Sequence, residues 1–160
     1  MIVWGGRESG GSVTNTGGML EDPDLLGPPT DFYTVTPCRL VDTRNAASGG
    51  PILAGGSIRS FRVTGGTCGV PATALAVSVN LTAVGAAAAG NLTLYAGDAA
   101  GPPRASNINF TAGLTRANNA IVALATDGTG TIKVKNGSAG AVHFVLDVNG
   151  YFDRCTSCGT

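Results

Sequence analysis

Charge is scarce in this chain. Of its 160 residues only 12% are Asp, Glu, Lys or Arg, and they sum to zero at neutral pH. Phosphate binding needs Lys and Arg gathered on one face, whereas Arg59, Arg62, Arg104, Arg116, Lys133 and Lys135 are scattered. Nucleic acid is therefore not an expected partner. Long apolar runs are also missing, so no membrane-spanning helix and no membrane insertion are expected. The opening "MIVWGGRESGG" lacks the basic start and apolar centre of a secretory signal. Two expectations follow: a signal already removed, or a piece of a larger chain.

Residues for catalysis are equally few. His143 is the single histidine, and the only glutamates, Glu8 and Glu21, lie near the N-terminus. A glutamate pair of glycosidase type inside the later domain is thus excluded. No nucleophile elbow, zinc-helix, P-loop or dinucleotide fingerprint occurs. The "DVNG" at 147–150 supplies Asp147 and Asn149 but only a fragment of a calcium loop, without the later glutamate. Catalysis, a metal and a cofactor are not expected.

Four cysteines are present, Cys38, Cys68, Cys155 and Cys158, in glycine-rich surroundings. With one histidine and a single CxxC, disulfides are favoured over zinc, and with them an oxidising compartment. Four cysteines allow three pairings, and spacing alone leaves them open.

What the chain has in quantity is alternation with a period of two. "AVSVNLTAV" (76–84) sets Val77, Val79, Leu81 and Ala83 against Ser78, Asn80 and Thr82. "NLTLYA" (91–96), "TIKVKN" (131–136) and "AVHFVLDVNGYF" (141–152) repeat the pattern. "FYTVT" with "CRLVDTR", "SIRSFRVT" (57–64), "SNINF" (106–110) and "NAIVALA" (119–125) complete the set, with glycine-rich turns between them. Half-buried short strands at regular spacing predict an all-β fold. Their unequal lengths favour a two-sheet antiparallel β-sandwich, of jelly-roll or Greek-key type, over a barrel. The expected organisation is an extended N-terminal arm and linker over 1–31, the sandwich over 32–153 and a cysteine-containing tail over 154–160.

Within "CRLVDTR" the charged residues Arg39, Asp42 and Arg44 stand beside Cys38 in an apolar run. Alternation puts Asp42 and Arg44 on one strand face. A buried charge must be paired, and Arg116 in "TRANN" and Asp147 in "LDVNGYF" are the candidate partners. Asp42, Arg44, Arg116 and Asp147 are thus expected to form a structural polar clamp between distant strands rather than an active site.

The run "FYTVTPCRLVDTRN", then "CGVPATALAVSVNLTAV", "GNLTLYA", "SNINFTAGLTRANNAIVAL" and "HFVLDVNGYF", resembles a β-rich module of large secreted bacterial proteins, marked by its VDTR and DVxGYF signatures. The resemblance covers most of residues 32–152. It implies an extracellular module, often beside adhesive or enzymatic domains, and cysteines at both "PCR" and "CGVP". Cys38–Cys68 is accordingly the preferred pair, with Cys155 and Cys158 bonded to each other or to another chain. Residues 1–18 resemble part of a kelch-type blade, with Met19 and Leu20 where an aromatic usually follows. One partial blade cannot bury a core, so no propeller is expected.

Together these features predict a non-catalytic structural or adhesion module at the cell surface. Its partners would be copies of itself or neighbouring domains of the same protein. Ile2, Val3 and Trp4 form a short apolar β-prone stretch, suited to cover the sheet edge of a neighbour and so to build a filament. The rival is a carbohydrate-binding module whose partners are extracellular glycans, with Trp4, Tyr33, Tyr95 and Tyr151 as the Trp and Tyr residues available. Asn80, Asn91, Asn109 and Asn136 begin N-x-Ser/Thr sequons, open to glycosylation.

Overall fold

The computed structural model describes residues 29–155, together with the backbone of four two-residue strands nearer the N-terminus. The chain divides into two compact units, the second beginning at Thr30. In the first unit, β1 (Ile2–Val3) pairs with β4 (Gly18–Met19), and β2 (Gly6–Arg7) pairs with β3 (Val13–Thr14). The two ladders are nested. Ile2–Val3, expected as a strand for a neighbouring molecule, has a hydrogen-bonding partner within its own segment. Local pairing satisfies these backbone groups at a small loop-closure cost. Trp4 lies outside the described residues.

The second unit is a sandwich of two four-stranded antiparallel sheets. Its strands are β5 (Thr30–Asp42), β6 (Ile58–Arg62), β7 (Ala76–Val84), β8 (Gly90–Ala96), β9 (Ile108–Phe110), β10 (Arg116–Ala123), β11 (Thr131–Asn136) and β12 (His143–Arg154). One sheet has the order β10-β7-β12-β5 and the other β6-β11-β8-β9. The first and last strands of the unit, β5 and β12, lie side by side. The only helical element among the described residues is a single 3₁₀ turn, Ala46–Ser48.

The alternation read from sequence is the alternation that is buried. Val77, Val79, Leu81 and Ala83 of β7 are fully enclosed, as are Ile132 and Val134 of β11 and Phe144, Leu146 and Val148 of β12. They meet Leu53, Leu92 and Val63 between the sheets. The residues between them along each strand face outward, which leaves the β10-β7-β12-β5 sheet with a broad outer face. A disulfide joins Cys38 on β5 to Cys68 in the segment between β6 and β7, with Cα atoms 5.4 Å apart. Cys155 is disulfide-bonded as well; Cys158 lies outside the described residues. A disulfide in this setting points to a non-cytoplasmic, oxidising environment. Among the described residues no helix is long and apolar enough to cross a membrane.

Candidate functional site

The charged cluster forms where β5 ends. Asp42 closes the strand, and the chain then turns, with the amide of Asn45 donating to the Asp42 carbonyl at 3.0 Å. Asn45 caps the 3₁₀ turn through its side-chain oxygen, which accepts from the amide of Ala47. Gly49 follows in the left-handed region, at φ 118°, and a side chain there would overlap Val41. This turn folds Arg44 back onto Asp42, so the two meet across a bend rather than along one strand face. Arg44 Nε and Nη2 donate to the two carboxylate oxygens at 2.8 and 2.6 Å, and its backbone amide donates to Oδ1 at 3.1 Å.

Arg39 extends the network. Its Nε and Nη2 donate to Asp147 on β12 at 2.8 and 3.2 Å, and its Nη1 lies 3.5 Å from Asp42 Oδ2. Charges of opposite sign thus alternate along Arg44, Asp42, Arg39 and Asp147. The forked bonds from Arg44, helped by its amide and by Arg39, hold the Asp42 carboxyl at a pKa of about 2, against the opposing effect of burial. Thr43, between the two charges, is buried. Its hydroxyl accepts from the Phe144 amide at 2.8 Å and lies 3.2 Å from His143 Nδ1, while its own amide donates to the Phe144 carbonyl. "VDTR" therefore fastens the end of β5 to β12, and His143 takes part only as a neighbour of Thr43.

Arg116 stands elsewhere. It opens β10 opposite Ala83, exposed, and forms no ion pair among the described residues. The reason is topological: β7 lies between β10 and β12, whereas β5 is next to β12. Arg39, not Arg116, is the partner of Asp147. The signal available in sequence was that Arg39 sits on the strand already holding Asp42.

Most positions of the "DVNGYF" run carry a structural contact. Asp147 binds Arg39, and Val148 is in the core. The register breaks between Val148 and Gly150, so Asn149 lies at a bulge. A side chain at Gly150 would overlap the Phe32 ring. Phe152 packs on Phe32 with ring centroids 4.9 Å apart, and Tyr151 stacks on Tyr33 at 5.2 Å. The Asp147 carboxylate is thus occupied by a guanidinium.

Two residues outside these motifs hold loops. Asn136, read as a sequon, is fully buried; its amide donates to the carbonyls of Leu53, Ala54 and Gly140 and accepts from the amide of Ser138. Arg59 donates to the carbonyls of Gly49, Gly50 and Pro51 and lies over the Phe61 ring at 5.0 Å. Neither role is visible in sequence, because the acceptors are backbone carbonyls of remote loops.

Across the outer face the four strands line up in rows. One row is Arg39, Asp147, Asn80 and Asn119; the next is Thr34, Gly150, Ser78 and Ile121; the last is Phe32, Phe152, Ala76 and Ala123. A cavity of about 440 Å³ is lined by Arg39, Asp147, Asn80 and Asn149 with Pro37 and Cys38. A second, of about 420 Å³, is lined by Asn119, Ser78, Ala120 and Ile121. The chain matches no protein-family model and no curated protein.

Proposed function

We propose that residues 30–154 are a non-catalytic structural or adhesion module of an extracellular protein, which works by packing against copies of itself. The observation that carries this reading is the edge strand β10. It runs for eight residues, Arg116 is its only charge, and it holds no proline. Ile121 is 64% exposed. Among the described residues the outer edge of β10 has no backbone partner; the side chain of Asn118 alone reaches away from it, to the Asn107 carbonyl. Edges of this kind are normally blunted by charge, proline or a cover.

The same edge of a second copy fits it. Antiparallel pairing on a twofold axis between Asn119 and Ala120 sets each Arg116 opposite the partner's Ala123, so like charges do not meet. Such a contact closes as a dimer. Growth into a filament then needs a second contact elsewhere on the chain. The resemblance to modules of secreted proteins and the Cys38–Cys68 bond support the extracellular setting. Light scattering on the full chain tests the proposal: association that rises with concentration is expected, and Ile121→Lys should abolish it. A wild-type chain that stays monomeric at every concentration would refute it.

A further inference from the structure

The outer face of the β10-β7-β12-β5 sheet carries polar side chains that the fold does not use. Asn80 and Asn119 lie opposite one another on β7 and β10, and among the described residues neither side-chain amide has a hydrogen bond. Next to them Asn149 lines the first cavity, and its Oδ1 is buried without a partner. Asn149 thus holds a buried acceptor without a partner, and Asn80 and Asn119 are open to solvent, so three amides on one face are free to bond an incoming ligand. The remaining members of the row, Arg39 and Asp147, neutralise each other.

We infer that this row is a binding site for a neutral saccharide, seated across β12, β7 and β10 between the two cavities. The chemistry selects that class. Each amide offers donors and acceptors together, which suits hydroxyl groups, themselves donors and acceptors at once. The ion pair makes the row electrically neutral, so it favours neither an anion nor a cation. Neighbouring rows lie about 7 Å apart, at about 3.4 Å per residue along a strand, and the adjoining row carries the Phe32 ring over Gly150. Phe32 is 48% exposed and gives an apolar surface for the C–H face of a sugar beside the polar row. Convergent polar groups in shallow apolar-walled cavities are what small-ligand recognition needs.

This inference rests on reading the domain as a non-catalytic extracellular module, and it does not depend on β10 edge pairing. The test uses the full chain on an array of neutral oligosaccharides, namely the hexaoses of glucose, xylose, mannose, galactose and N-acetylglucosamine. Calorimetry follows with the sugar that binds. At least one hexaose should bind. Asn80→Ala and Asn119→Ala should each weaken it at least tenfold with an unchanged melting temperature, and Phe32→Ala should weaken it as well, while Ala123→Lys, which sets a positive charge opposite the partner's Arg116 and lies outside both cavities, should retain binding. Silence of the wild-type chain on every neutral sugar would overturn the inference, as would binding of acidic glycans alone or binding that Asn80→Ala and Asn119→Ala leave intact. Light scattering on the same samples separates the two proposals: sugar binding by a monomer removes only the edge pairing, and self-association without sugar binding removes only the site.

Discussion

At the scale of single residues, Asp42 sets the acid limit of the domain. Its folded pKa of about 2 lies below the unfolded carboxyl value near 3.8. A depressed carboxyl pKa stabilises the fold above the unfolded value, and that stability is lost as pH falls through the folded one. A shift of this size corresponds to about 2 kcal/mol. Asp42→Asn should therefore lower stability by about 2 kcal/mol at pH 7 in urea melts. The difference between wild type and variant should shrink between pH 4 and pH 2. A difference that persists at pH 2 would show that Asp42 acts through shape instead of charge. Asn136 should be the more costly position. Asn136→Ala strips a buried donor from three carbonyls and an acceptor from the Ser138 amide, a loss of about 3 kcal/mol or more. A variant within about 0.5 kcal/mol of wild type would contradict that role.

At the scale of elements, strand faces were legible because alternation survives in the sequence: β7 and β11 have the bounds their patterns give. The pairing of strands was not. Nothing local in "VDTR" says that β5 neighbours β12 and not β10, and the misplaced Arg116 follows from that gap alone. The bulge at Asn149 was hidden for the same reason, since a register break is a relation between strands. The N-terminal ladders show the same limit: Ile2–Val3 was readable as β-prone, but not its pairing with Gly18–Met19. The Cys38–Cys68 bond ties β5, an edge strand, across a separation of 30 residues. Loop closure of that length is worth about 3–4 kcal/mol on the chain-entropy model. Replacing both cysteines by serine should lower the melting temperature by several degrees, by calorimetry, with the far-ultraviolet spectrum retained. An unchanged melting temperature would mean that β5 is held by its β12 ladder and the Arg39–Asp147 pair alone.

At the scale of the whole molecule, the internal polar groups of the sandwich are largely committed to holding strands and loops together, while among the described residues one sheet leaves the long edge of β10 and its outer face without a partner. The proposed self-association runs through that edge. The direct measurement is amide hydrogen exchange of the full chain over a range of protein concentrations, read on peptides covering Arg116–Ala123. Edge pairing predicts that exchange in this strand slows as concentration rises, while the buried strand β8, with partners on both sides, exchanges at a constant slow rate. Exchange in β10 that is independent of concentration, in a chain that nonetheless associates, would place the contact elsewhere and contradict the account.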